Sequence, residues 1–269
     1  MSAGRFSLAG RKALVTGANS GIGRTIALAL ADSGADIVLH HFNDRDGAVA
    51  VCAAIEGMGR AAAIVEADFT TKGEAEALAR AIVERHGPID ILIANAAIER
   101  RGSWKEIDVA HIEAHLAANF TSLLLLAQAL VPEMSARGWG RVVAIGSVLA
   151  RRPRAETVVY AALKSAQLTA VRALAREVAG TGVTMNVVSP GAIETERNAH
   201  LYADASFRRA VEAKIPVGRA GRPGDCVGPV LLLCSDAGGY ITGADIPVDG
   251  GWSIGDAPTT AETKREDIL

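Results

Sequence analysis

Short aliphatic, β-branched runs alternate along this chain with longer stretches of helical spacing, and that alternation limits the fold more than any other feature. Residues 12–16, 36–40, 61–66, 89–94, 141–146, 184–188 and 244–248 read as strands that are apolar on both faces. Strands of that kind belong to sheets covered on both sides. Between them, residues 21–33, 47–58, 72–86, 109–137, 158–181 and 224–235 carry Ala, Leu, Arg and Glu at helical periods. Strand, helix and strand repeated in this way imply a parallel sheet with right-handed crossovers and helices on both faces, a doubly wound α/β fold. No linker, repeat or low-complexity block interrupts the chain, so one domain over 1–269 is expected, with a polar tail at 259–269 that frays.

Composition narrows the function classes. The chain is 49% apolar and 22% charged, with a net charge of −2. No face is forced to be basic, so nucleic acid is not an expected partner. Cys52, Cys226 and Cys234 lack the spacing of a disulfide framework or of a CxxC site. The opening MSAGRFSLAGRKALVTG reaches a strand without a long apolar core and does not read as a signal peptide. The most apolar helical stretch, 116–131, is interrupted by Asn119, Thr121, Ser122 and Gln128 and reads as too short and too polar to span a bilayer. The expectation is a cytoplasmic enzyme with no membrane partner.

The first strand runs directly into Thr16-Gly17-Ala18-Asn19-Ser20-Gly21-Ile22-Gly23, and a helix follows. A dinucleotide pyrophosphate needs this arrangement. Glycines let the backbone turn tightly and approach the anion, and the helix N-terminus offers free N–H groups and a positive dipole end. Farther on, Tyr160-Ala-Ala-Leu-Lys164 lies on a helical stretch, and residues four apart share a helix face. A phenol titrates near ~10, too high for a base at neutral pH. An adjacent ammonium favours the phenolate, so Lys164 is expected to lower Tyr160 and make it a proton donor or acceptor toward a substrate oxygen.

These motifs together resemble the short-chain dehydrogenase/reductase family, and the resemblance runs nearly to the end of the chain. TGxxxGIG stands in full from Thr16 to Gly23, so Gly17, Asn19, Ser20, Gly21, Ile22 and Gly23 would meet the cofactor. The resemblance places Asp68, with Phe69 beside it, at the adenine amino group. Ala94-Asn95-Ala96-Ala97 is similar to the family's NNAG element, with Ala97 where glycine is usual, and assigns Asn95 and Ala96 to the cofactor. Ser189-Pro190-Gly191 with Ile193 and Thr195 matches the loop at the nicotinamide half. Ser147, thirteen positions before Tyr160, would bond the reacting oxygen and stabilise its charge. Asn119 would complete a tetrad with Ser147, Tyr160 and Lys164, holding a water that links Lys164 to solvent. The implied activity is NAD(P)(H)-dependent interconversion of a carbinol and a carbonyl, with redox chemistry that belongs to the nicotinamide and requires no metal.

The strand-end positions His41, Phe42 and Asn43 carry neither the carboxylate that reads a ribose 2′-hydroxyl nor an arginine immediately after the strand. NAD and NADP both stay open, with a slight lean to NADP because His41, Asn43 and Arg45 suit a 2′-phosphate. His111 and His115, in HIEAH, lack the order and the third ligand of a zinc site and read as a solvated helix face.

The substrate would be walled by the segments after the fourth, fifth and sixth strands, with residues 194–215 as a mobile helical lid. Glu99 suits sugar hydroxyls, and Arg151, Arg152 and Arg154 suit a carboxylate. A polyol, sugar or sugar acid is expected. A 3-oxoacyl-thioester reductase is the alternative, and a regulatory protein that binds the cofactor without turnover is a third reading. The run Leu123–Leu126 gives its helix more apolar positions than one sheet-facing stripe uses, so a homotetramer is expected, as the resemblance also implies.

Overall fold

The alternating apolar runs fold into seven parallel strands: β1 (Lys12–Val15), β2 (Asp36–His41), β3 (Ala62–Glu66), β4 (Ile91–Ala94), β5 (Gly140–Ile145), β6 (Val183–Pro190) and β7 (Asp245–Val248). The computed structural model describes residues 3–255, so the tail expected at 259–269 lies outside the described residues. The strands form one sheet in the order β3-β2-β1-β4-β5-β6-β7. The direction of winding changes between β1 and β4, which pair directly. Open α/β sheets bind ligands beyond the carboxyl ends of the strands at such a switch point.

Both faces are covered, which explains the apolar character of each strand. Helices α1 (Gly21–Asp32), α2 (Arg45–Gly57) and, late in the chain, α9 (Val227–Cys234) cover one face. There Val15, Ile37, Leu39 and Ile93 meet Ile26, Leu30, Ile55 and Leu233. The other face carries α3 (Glu74–His86), α5 (Ser122–Ala136) and α6 (Val158–Val178). Leu14, Val38 and Leu92 point that way, against Leu78, Leu126 and Val171. Neighbouring residues of a strand thus belong to opposite cores. Two short helices, α7 (Ala199–Tyr202) and α8 (Ala205–Glu212), fill part of the segment expected as a lid.

The long helix expected at 109–137 is α4 (Val109–Leu116) and α5 joined by a π-helical turn, Ala117–Thr121. Taken whole, Val109–Ala136 is long and apolar enough to cross a membrane by length and composition, contrary to the reading of 116–131 as too short. Half of its apolar window is buried against the sheet and neighbouring helices, the position of a core helix in this fold.

One histidine ties the strand ends together. His40, near the end of β2, accepts from the Gly17 N–H at Nδ1 (3.1 Å) and reaches the Ala67 carbonyl from Nε2 (3.0 Å). Its ring also stacks on Phe69, with centroids 4.3 Å apart. Both bonds are made together by the neutral Nε2–H tautomer, and burial holds the imidazole down to about 4 from its ordinary 6.5. A histidine lowered in the folded state adds stability that is complete above its ordinary value and is lost as pH falls toward the lowered one. Urea unfolding is therefore expected to show stability declining from about pH 6.5 toward pH 4. His40→Leu should lose about 1–3 kcal/mol at pH 7, because the Gly17 N–H and the Ala67 carbonyl are left without partners. It should also show less of the acid decline.

Candidate active site

The carboxyl ends of the strands open onto a cavity of about 880 Å³, and the glycine loop forms one side of it. Gly17 and Gly21 adopt φ of +63° and +55°, the left-handed region that glycine enters without strain. A Cβ at Gly23 would overlap the Gly17 carbonyl oxygen, so glycine there lets α1 close onto the loop. The loop is pinned from β4. The Asn95 amide nitrogen donates to the Thr16 and Gly17 carbonyls (2.8 and 3.1 Å), while the N–H groups of Asn95 and Ala96 donate to the Thr16 hydroxyl (2.9 Å each). Asn95 therefore shapes the loop, with its amide N–H groups already committed to it.

The site also contains an internal anion. Glu196, from the segment after β6, accepts from the Gly21 N–H (3.3 Å) at the N-terminus of α1 and lies 3.8 Å from Arg24. A carboxylate already rests where the helix dipole and free N–H groups favour negative charge. The loop thus fits a dinucleotide pyrophosphate. Gly17, Asn19, Ser20, Gly21, Ile22 and Gly23 line the cavity, as do Phe42, Asp68, Phe69, Asn95, Ala96, Pro190, Gly191, Ile193 and Thr195. Asp68 is held in place by accepting from the Thr70 N–H (2.9 Å) and hydroxyl (2.7 Å).

The end of β2 differs from expectation. His41 and Asn43 do not line the cavity, and His40 does. Strand alternation is the reason, since His40 shares the face of Val38 and His41 that of Leu39. The His41 ring is fully buried, and neither ring nitrogen has a hydrogen-bond partner. Asn43 takes a left-handed φ of +52° and donates its N–H to Glu66 (3.4 Å). Phe42, 54% exposed, is the strand-end side chain that faces the cavity. Asp44 accepts from the Asn19 amide (2.7 Å) and caps α2 through the Gly47 N–H (3.1 Å), and these bonds hold its carboxyl below the usual range.

Ser147 closes β5 and accepts from the Leu149 N–H (3.1 Å). Its side chain is hydrogen-bonded to Tyr160, two residues into α6. One turn on, Lys164 donates to the Ile145 carbonyl (2.6 Å) and to Gln167 (3.2 Å), with its ammonium 5.6 Å from the Tyr160 ring centre. The expected lowering of the phenol by Lys164 is not found in this state. Burial raises Tyr160 well above its ordinary value, and the Glu99 carboxylate adds to the rise. The bond to Ser147 and the Arg197 guanidinium act the other way. Lys164 is not among the groups that lower it. Burial brings Lys164 itself down to about 8.

Asn119 lies in the π turn behind the cavity wall rather than on it. Its side chain accepts from the Ile98 N–H (2.8 Å) and donates to the Ile98 carbonyl (2.9 Å), a two-point clamp on the segment after β4 that leads to Glu99. His115 is not on a solvated face. It is fully buried, stacks on His111 at 4.2 Å, bonds the His111 carbonyl through Nδ1 (2.8 Å) and accepts from the Arg100 N–H (3.2 Å). Among the described residues, no three His, Cys, Asp or Glu side chains gather as a metal site would require.

The outer wall is charged. Glu99 lines the cavity and pairs with Arg101 (2.8 Å). Arg154 lines it too, 3.5 Å from Glu156 and 5.4 Å from the Trp252 ring centre. Arg152 does not line it. Its guanidinium turns back to donate to the Trp252 carbonyl (2.7 Å). Arg151 is held by Asp245 (2.7 Å). Sequence reading missed His40, Glu196, Arg197, Lys214 and Tyr202, all of which line the cavity. Strand alternation was available to find His40, whereas the others belong to a segment with no motif.

Comparison with known proteins agrees with this geometry. Residues 17–253 match the family model described as Enoyl-(Acyl carrier protein) reductase. The chain is 35% identical over 257 residues to the 2-dehydro-3-deoxy-D-gluconate 5-dehydrogenase of Pseudoalteromonas atlantica, covering 92% of this chain and 98% of the relative. A gluconate 5-dehydrogenase from Burkholderia cenocepacia, solved with NADP and tartrate, superposes with a TM-score of 0.87 at 33% identity over 94% of this chain and 99% of that one. A 3-oxoacyl (acyl-carrier-protein) reductase from Agrobacterium tumefaciens with NADP bound gives 0.88 at 36% identity, over 93% of this chain and 97% of that one. With a matching family model over most of its length and the loop, serine, tyrosine and lysine in one cavity, the chain belongs to the short-chain dehydrogenase/reductase family of NAD(P)(H)-dependent oxidoreductases.

Proposed function

We propose that the protein interconverts a secondary alcohol and a carbonyl on a polyol, sugar or sugar acid, with Ser147, Tyr160 and Lys164 at the reacting oxygen. The observation that carries the substrate class is the pair of opposite charges that acts on Tyr160: the Glu99 carboxylate and the Arg197 guanidinium. A substrate dense in hydroxyl groups satisfies a carboxylate, and a guanidinium suits a carboxylate on the substrate. The relatives named for gluconate chemistry support this reading. The reductase of acyl-carrier-protein thioesters supports a second, in which the substrate is a 3-oxoacyl thioester.

When bound, the nicotinamide supplies or accepts the hydride. Ser147 Oγ fixes the substrate oxygen, and Tyr160 Oη gives it a proton or takes one. The Lys164 ammonium lies 5.6 Å from the Tyr160 ring centre and, while it is charged, favours the phenolate as the proton leaves, and Asn119 holds the wall that carries Glu99 in place. NADP is favoured over NAD, because relatives are solved with NADP and no carboxylate ends β2. The segment 194–215 acts as a lid, since Arg197, Tyr202, Phe207 and Lys214 all face the cavity. One domain carries both cofactor and substrate, and the protein works in the cytoplasm as a homotetramer. The assembly reading is supported by Val109, Ile112 and Leu116, which stay exposed on one face of α4 at spacings of three and four, and by exposed Val158 at the start of α6.

Four outcomes test these statements. Turnover is expected with a polyol or sugar-acid panel and NADP, and not with acetoacetyl thioester. Tyr160→Phe should lose at least about a thousandfold in kcat while cofactor binding, followed by nicotinamide fluorescence, stays within about twofold. Glu196→Gln removes the internal anion from the Gly21 N–H, so the cofactor Kd should fall about two- to fivefold, the range of one charge at a helix N-terminus. An unchanged or weaker Kd would show that Glu196 does not compete for that position. Light scattering coupled to gel filtration should give a tetramer mass at micromolar concentration, and a monomer mass overturns the assembly.

A further inference from the structure

The π turn Ala117–Thr121 and helix α6 meet at one buried glutamine. Gln167 is 2% exposed. Its amide nitrogen donates to the main-chain carbonyl of Asn119 (3.3 Å), and its amide oxygen accepts from the Lys164 ammonium (3.2 Å). The Asn119 side chain is already committed in both directions to Ile98. Lys164 and Ile98, next to Glu99 in the substrate wall, are thus tied to the same residue, the first through Gln167 to the Asn119 main chain and the second to the Asn119 side chain.

We propose that Gln167 is a positioning residue for proton transfer, whose carboxamide keeps the Lys164 ammonium charged and aimed by joining it directly to the Asn119 carbonyl. The family resemblance gives that connection to a water. Here a side chain of this chain spans the two groups. A carboxamide accepts from an ammonium through its oxygen and donates to a carbonyl through its nitrogen, so one neutral side chain serves both. A leucine in its place would leave Lys164 with the Ile145 carbonyl as its remaining acceptor and would strip the Asn119 carbonyl of this donor.

The electrostatics give the consequence. An ammonium buried with fewer acceptors releases its proton more readily. Burial alone accounts for the drop of Lys164 to about 8, with no charged neighbour contributing. From β5 it meets the Ile145 carbonyl, and from its own helix Tyr160 and Gln167. On α4 the buried titratable group is His115, whose ring nitrogens are turned to the His111 carbonyl and the Arg100 N–H. Glu99 and Arg197, from the loops after β4 and β6, act on Tyr160. Gln167 is thus, among the described residues, the side chain that accepts from the Lys164 ammonium, beside the main-chain carbonyl of Ile145.

The inference rests on the catalytic reading of Lys164 only in its kinetic arm, so the first measurement does without substrate. Protein labelled with 13C at lysine Cε is titrated by NMR, and the Lys164 resonance is assigned by its loss in Lys164→Met. Gln167→Leu should move the Lys164 midpoint down by about one unit or more, whereas Gln167→Glu, which puts a carboxylate against the ammonium, should move it up. Where Gln167→Leu fails to fold, Gln167→Glu decides alone. A midpoint unchanged in a folded variant, or displaced in the same direction by both, overturns the proposal. In the kinetic arm, reduction of a carbonyl needs Lys164 charged, so activity is lost as pH rises through its midpoint. That limb should move to lower pH in Gln167→Leu, with KM for the cofactor within about twofold. A displaced NMR midpoint in a protein that turns nothing over would refute the proposed function and leave the role of Gln167 standing.

Discussion

The clamp between Asn95 and the first glycine turn is the interaction on which the rest of the site depends. A glycine loop has many accessible conformations, and fixing it costs backbone entropy that glycine, of all residues, has most of to lose. Asn95 and the Thr16 hydroxyl offset that cost with four hydrogen bonds between the ends of β1 and β4, and His40 adds another from β2. These bonds cross the switch point of the sheet, where the crevice is unavoidable because the winding changes sense. The cavity is built where the fold leaves a gap, and polar side chains at the strand ends keep the gap in one shape.

The deeper end of the cavity works by opposing burial. Burial pushes Tyr160 up and Lys164 down, so each is driven toward its neutral form. A neutral tyrosine beside a lysine near its midpoint is a pair held ready, with the direction of proton transfer left to whatever binds. Arg197 draws Tyr160 toward phenolate and Glu99 draws it away, one from each wall. Charges from both walls therefore act on the same proton that the floor of the site holds.

The seven strands, the helices between them and the serine, tyrosine and lysine were legible because each is set by a local rule: alternation, helical period, or a motif at fixed spacing. Where sequence reading went astray, the deciding contact was not local. His41 was expected at the cofactor because it stands at the strand end, but the pleat turns it into the core. Arg152 looked like a carboxylate reader, yet it bonds the Trp252 carbonyl a hundred residues away in sequence. The lowered phenol followed from Tyr160 and Lys164 sharing a helix face, and that is true of their positions. It is not met because burial, which no helix spacing reports, raises the phenol and lowers the ammonium alike. Gln167 carried no signal at all, since a glutamine three residues past a lysine on a helix reads as surface until the π turn brings the Asn119 carbonyl to it.

The walls follow a different economy from the floor, and it explains why fold and motif leave the substrate open. Floor contacts are buried and satisfied, so removing one leaves an orphaned polar group. The wall contacts are ion pairs among half-exposed side chains: Glu99 with Arg101, and Arg154 with Glu156. Exposed pairs of this kind are worth about 0–1 kcal/mol each. A substrate carboxylate or a row of hydroxyls can replace one partner at little cost, and the displaced charge turns to water. Such a wall discriminates through which pairs a ligand opens rather than through a rigid imprint. It can therefore diverge among relatives by changing single charges, while the glycine loop and the tyrosine–lysine floor, bound by buried hydrogen bonds, stay as they are.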